Sequence, residues 1–134
     1  MPRNIRILVA EDDAGIREII RTRLAMMGYD VVVARTGVEA LNQIRSRRPD
    51  LMVLDINMPE LDGFGVLKTF EGDRASLPPT LVITARNAAD DVRQAVSLGA
   101  KDYLAKPFSE AQLQSRIARL LRFTRPDDDK VVLV

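Results

Sequence analysis

Apolar and polar residues alternate along this chain in two rhythms that take turns. Ile5 to Ala10 (IRILVA) is a compact apolar run of the kind that forms a buried strand. From Ala14 to Met27 the apolar residues Ile16, Ile19, Ile20, Leu24 and Met27 recur at helical spacing, and Gly28 supplies a stop. Val31 to Ala34 reads as a second strand, after which Thr36 and Glu39 have the spacing of a capping box for a helix carrying Val38, Leu41 and Ile44. Leu51 to Leu54 is a third strand, entered through Pro49-Asp50. A loop with Pro59 and Gly63 then leads to a short helix with Phe64, Leu67 and Phe70. Pro78-Pro79 precedes a fourth strand, Thr80 to Thr84, and Val92, Ala95 and Val96 mark a helix ended by Gly99. Tyr103 to Ala105 is the last strand. Ser109 with Gln112 opens a final helix with Leu113, Ile117, Leu120 and Leu121.

Five strand–helix repeats with nearly continuous apolar strands predict an α/β fold, with a parallel sheet covered on both faces. Right-handed crossovers make this a doubly wound (βα)5 three-layer sandwich. In open parallel sheets, sites form beyond the carboxyl ends of the strands. That rule brings Glu11-Asp12-Asp13, Asp55, Thr84-Ala85 and Lys106-Pro107 to one edge, although they are far apart in the chain.

Length and composition narrow the chemistry. A chain of 134 residues holds one compact domain, and its 46% apolar and 29% charged residues are an ordinary globular balance. Lys+Arg is 20 against Asp+Glu 19, so no bulk attraction to nucleic acid or membrane is expected. There is no Cys and no His, which excludes disulfides, thiolate or imidazole metal sites and histidine-based catalysis. No apolar run approaches the roughly 18 residues of a membrane span. The short polar start is unlike a signal peptide, and a cytoplasmic protein is expected.

What remains is carboxylates, a hydroxyl, an ammonium and a hard cation. Glu11, Asp12 and Asp55 crowd one edge, and a divalent ion relieves their repulsion. Mg²⁺ takes one or two carboxylates, carbonyls and waters, whereas the calcium-loop spacing is missing. Asp12 and Asp55 are the expected direct ligands, with Glu11 holding a metal-bound water. For Asp13, capping the next helix is at least as good a reading. Asp55 stands at a rigid strand end before Ile56-Asn57-Met58-Pro59, where a carboxylate can attack a phosphoryl group. The ion, Lys106 and Thr84 with a neighbouring backbone N–H would then partner the three phosphoryl oxygens.

The segments ILVAEDD, LMVLDINMPELDG, VITA and GAKDYLAKPF together resemble the receiver domain of bacterial two-component response regulators, the CheY-like family, from about Ile5 to Phe123. That resemblance implies a flavodoxin-like sheet of order 2-1-3-4-5, for which a member of the family is a standard example. Residues 1–123 would form the receiver domain and 124–134 a C-terminal linker or tail. The resemblance implies that Asp55 accepts a phosphoryl group from a sensor histidine kinase, a histidine phosphotransfer protein or acetyl phosphate. It implies Mg²⁺, with Mn²⁺ as a substitute, held by Asp12, Asp55 and the Asn57 main-chain carbonyl, beside Glu11. Thr84, the Ala85 N–H and Lys106 would stabilise the phosphoryl group. Thr84 and Tyr103 would act as the switch, Pro107 would set the loop geometry, and Asn57 and Arg86 would tune phosphoryl lifetime. The face of the fourth helix, fifth strand and fifth helix would then recruit a downstream protein or output domain. A phosphorylation-dependent homodimer is one form this could take.

The resemblance implies a signalling domain that assists its own phosphorylation and dephosphorylation, not an enzyme acting on others. The alternative is the regulatory part of a longer transcription factor or output enzyme. A small-molecule phosphotransferase of the haloacid-dehalogenase type is disfavoured because Asn57 stands where its acid would be. A nucleotide binder is disfavoured because Glu11-Asp12-Asp13 would repel a phosphate. Arg116, Arg119 and Arg122 read best as a solvated helix face, with partner docking the lesser reading and no aromatic interleaving to favour nucleic acid. The tail Val131 to Val134 is apolar and β-prone, suited to a sheet edge, a second subunit or a junction with a further domain.

Overall fold

The computed structural model describes residues 4–85 and 89–124. Arg86 and the tail from 125 onward lie outside the described residues, as do the expectations placed on them. Strands β1 (Arg6–Ala10), β2 (Asp30–Ala34), β3 (Leu51–Asp55), β4 (Thr80–Thr84) and β5 (Asp102–Ala105) alternate with helices α1 (Ala14–Met26), α2 (Gly37–Ser46), α3 (Gly63–Lys68), α4 (Ala89–Ser97) and α5 (Glu110–Thr124). A 3-10 turn, Arg74–Ser76, precedes β4. The strands form one parallel sheet of order β2-β1-β3-β4-β5.

Strand side chains alternate between two faces, and each face has its own core. Ile7, Val9, Leu51, Val53, Leu81, Ile83 and Leu104 pack with Ile20 and Leu24 of α1 and Leu113, Ile117, Leu120 and Leu121 of α5. Leu8, Ala10, Met52, Leu54 and Val82 pack with Leu41 and Ile44 of α2, Phe64, Val66 and Leu67 of α3, and Ala95 of α4. This is the doubly wound sandwich that the strand–helix rhythm predicts. The helical stripes are narrower than the apolar periodicity implies, because Ile19, Val38 and Val96 face solvent.

The helix starts follow their capping signals. The Ile16 N–H donates to Asp13 Oδ1 at 2.9 Å, so Asp13 is the N-cap of α1. Thr36 Oγ1 accepts from the Glu39 N–H, but the Glu39 carboxylate accepts from Arg35 rather than closing the box on Thr36. Ser109 and Gln112 form the reciprocal box in full. Gly37 opens α2 against the loop before α3: a Cβ there would lie 2.0 Å from the Leu61 carbonyl oxygen, so only glycine fits.

The edge strand β5 is blunted by its own surroundings. The Tyr103 N–H donates to Asp102 Oδ1 at 2.8 Å, and Arg116 donates to the Tyr103 carbonyl at 2.9 Å. Arg116 and Arg119 both pair with the Asp102 carboxylate. These two arginines therefore staple α5 to β5 rather than forming a purely solvated face, and Arg116 occupies a main-chain carbonyl that an edge would offer a foreign strand.

Candidate functional site

Register in a parallel sheet decides which strand ends meet. Ala10 pairs with Leu54, so Glu11 follows on beside Asp55; Asp55 pairs with Ile83, and Thr84 with Ala105, so Lys106 follows at the same edge. Alternation from Leu51 and Val53 directs Asp55 toward the α1/α5 side, while Thr84 follows Val82 toward the other side. The Lys106 N–H donates to the Thr84 carbonyl at 2.8 Å, locking the ends of β4 and β5 together. The Lys106–Pro107 bond is cis.

The lysine side chain reaches into the acids. Lys106 Nζ lies 2.6 Å from Glu11 Oε1 and 3.3 Å from Asp55 Oδ2. Glu11 and Asp55 are buried, at 0% and 3% exposure, whereas Asp12 is exposed at the rim. One carboxylate oxygen from each of Glu11, Asp12 and Asp55 lies within 4.8 Å of the others. Burial pushes the Glu11 carboxyl above the ordinary glutamate range, and hydrogen bonding and repulsion from Asp55 push it further, against the pull of Lys106. Asp12 is also raised, by partial burial and then by Glu11. Burial draws the Lys106 ammonium down, but its contacts with Glu11 and Asp55 outweigh this and hold it above the usual lysine value.

The family model for the response regulator receiver domain matches residues 7–118. The chain belongs to the response regulator receiver family. It is 46% identical over 125 residues to the response regulator MprA of Mycobacterium tuberculosis, covering 93% of this chain and 54% of that protein. The chain thus spans about half the length of the curated relatives it matches. Among solved structures it is similar to the receiver domain of the Francisella response regulator 1452, with TM-score 0.84, 34% identity and coverage of 91% of this chain and 100% of that one. It is also similar to the Vibrio cholerae chemotaxis protein CheY4, with TM-score 0.82, 28% identity and coverage of 89% and 100%. Two-component signal transduction is therefore the setting of this receiver domain, and its fold is the flavodoxin-like α/β sandwich. No helix among the described residues is long and apolar enough to cross a membrane.

The receiver domain's acidic cluster suits a hard divalent cation. Its donors are all carboxylate oxygens, and Asp12 opens the cluster to water. Glu11 Oε1 is fully buried, with the Lys106 ammonium 2.6 Å away. The other predicted residues take distinct places. Thr84 is buried at the end of β4, and Ala85 and Asn57 are exposed in the loops after β4 and β3. Tyr103, 41% exposed, stands on β5 outside the cluster.

Two further features hold the receiver site in shape. The Gly63 N–H donates to the Ile56 carbonyl at 2.7 Å, and a Cβ on Gly63 would lie 2.6 Å from the Asp55 carbonyl oxygen. The β3–α3 loop thus folds directly back on the end of β3. Arg17, to which the sequence reading gave no role, donates from Nη1 to the carbonyls of Glu11 and Asp12. Its one signal in the sequence is a cation one turn into the helix that follows the acidic triplet.

Proposed function

We propose that this chain is a phosphoacceptor switch in which Asp55 takes a phosphoryl group from a partner histidine kinase or phosphotransfer protein, or from acetyl phosphate. The observation that carries this reading is the buried Asp55 carboxylate 3.3 Å from Lys106 Nζ, clustered with Glu11 and Asp12. An Asp55 carboxylate oxygen attacks phosphorus. The new O–P bond forms as the donor's P–N bond (P–O for acetyl phosphate) breaks, and the electron pair leaves with the imidazole or acetate. Lys106 neutralises one phosphoryl oxygen, and the Thr84 hydroxyl with the Ala85 N–H serves another. Asp12, Asp55 and the Asn57 main-chain carbonyl would hold Mg²⁺ or Mn²⁺ and Glu11 one of its waters, the ion supplying positive charge for the remaining oxygen.

The transferred group adds about 1.5–2 negative charges, and it shifts a two-state surface only as far as the states bind it differently. Thr84 and Tyr103 carry that difference to the α4, β5 and α5 face, and Asn57 and Arg86 set how long the phosphoryl group survives. Residues 1–123 serve as the receiver and 124–134 as a linker, in the cytoplasm. The extra length of the relatives favours a second reading, the regulatory part of a longer transcription factor or output enzyme.

Incubation with Mg²⁺ and acetyl phosphate, followed by intact-mass measurement, tests the proposal. The expected result is a gain of one base-labile phosphoryl group, absent in Asp55→Asn; the same gain in Asp55→Asn would overturn the assignment. Mg²⁺ is also expected to raise the melting temperature. At ten times its dissociation constant the gain is about 1.4 kcal/mol, or roughly 4–7 °C for a chain of this size. Unchanged melting in saturating Mg²⁺ would contradict the cation site.

A further inference from the structure

We infer that Arg17 is a positioning residue for the cation site, holding the main chain from which Glu11 and Asp12 project; this rests on the reading of that cluster as a Mg²⁺ site. Arg17 Nη1 donates to the Glu11 carbonyl at 3.0 Å and to the Asp12 carbonyl at 3.3 Å. One guanidinium nitrogen therefore ties together two consecutive residues whose carboxylates both belong to the acidic cluster. The base of this tie is rigid. The Arg17 N–H donates to the Asp13 carbonyl at 2.8 Å, at the start of α1, and a helical side chain leans toward the N-terminus, which is where these carbonyls lie.

The rest of the loop shows why the tie matters. The Glu11 N–H is fixed to the Ala34 carbonyl at 3.0 Å, and Asp13 is fixed by capping α1 and by donating its N–H to Glu11 Oε2 at 3.2 Å. Asp12 lies between these anchors with an exposed side chain, and its carbonyl is bonded to Arg17. Without the guanidinium, the Asp12 main chain could rotate and carry its carboxylate away from Asp55. Charge alone predicts the opposite effect. A cation beside the site repels Mg²⁺, so losing Arg17 would tighten binding if charge dominated. Hydrogen bonds from a charged donor are among the stronger ones, and groups that orient metal ligands typically control about 10–100-fold in affinity. Positioning therefore outweighs repulsion here.

Calorimetric titration of the whole chain with MgCl2 tests this, with melting in EDTA measured alongside. Arg17→Ala and Arg17→Gln are expected to weaken Mg²⁺ binding by about tenfold, the low end of the range for ligand-orienting groups, while melting in EDTA changes little. Arg17→Lys is expected to recover part of the affinity, because an ammonium can donate to both carbonyls but reaches one bond less far than Nη1. Equal or tighter Mg²⁺ binding in Arg17→Ala and Arg17→Gln, with the wild type binding normally, would overturn the role of Arg17 alone. A wild type that binds no Mg²⁺ would overturn the cation site itself, and this inference with it.

Discussion

Lys106→Met is expected to slow phosphoryl uptake at Asp55 by about 10²- to 10³-fold, the usual cost of removing one donor aimed at developing charge. The same change alters stability in the absence of metal. Among the described residues, the ammonium is the positive group within 4 Å of both Glu11 and Asp55, and both carboxylates are buried. Removing one partner of a buried ion pair costs about 3–5 kcal/mol, but Glu11 can take up a proton, so a loss of about 2 kcal/mol is expected. The pH dependence has a definite sign. Because the folded Lys106 value is raised, its contribution is fully present below the ordinary lysine value and is lost as pH climbs through the folded one. On the acid side the gap between wild type and variant closes as Glu11 protonates, earlier than for an ordinary glutamate because burial has raised it. Chemical denaturation of both proteins across pH in EDTA would show a difference widest around neutrality. A gap that persists unchanged into strong acid would show that packing, not charge, is the cause.

Gly63→Ala is the substitution expected to damage the site most through the backbone. The added Cβ would sit 2.6 Å from the Asp55 carbonyl oxygen and 2.8 Å from Ile56 Cα, and neither atom belongs to a movable side chain. Relief requires moving either the end of β3 or the start of α3, whose Phe64, Val66 and Leu67 are buried. Overpacking of this kind costs about 3 kcal/mol, which for a chain this long lowers the melting temperature by roughly 10 °C. Phosphoryl uptake should fall with it, because the displaced atoms carry Asp55 and the loop to Asn57. Thermal melting and intact-mass phosphorylation read the two effects. A variant that melts like the wild type would show that the loop yields more easily than its contacts imply.

Much of this was legible in the residues because the signals were redundant. β4 runs from Thr80 to Thr84 as its apolar run predicts, and Ser109 with Gln112 caps α5 as its spacing predicts. The convergence of Glu11, Asp12, Asp55 and Lys106 followed from one rule about parallel sheets, with no need to know distances. What the sequence could not carry was three-dimensional pairing. Ile19, Val38 and Val96 fit the helical period but face solvent, since periodicity marks a stripe without fixing how wide the contact is. Arg116 and Arg119 read as a solvated face because their partner, Asp102, is on another element and becomes a neighbour only once α5 lies along β5. Arg17 escaped notice for a related reason. Its partners are main-chain carbonyls, which have no letter in the sequence.

The central claim is that Asp55, and no other carboxylate in the cluster, receives the phosphoryl group. Borohydride reduction of the protein after treatment with Mg²⁺ and acetyl phosphate converts an aspartyl phosphate to homoserine, which peptide mass spectrometry locates to a single position. Homoserine at position 55 alone is the predicted result. Homoserine at position 12, or a phosphorylated chain with an unaltered residue 55, would contradict it.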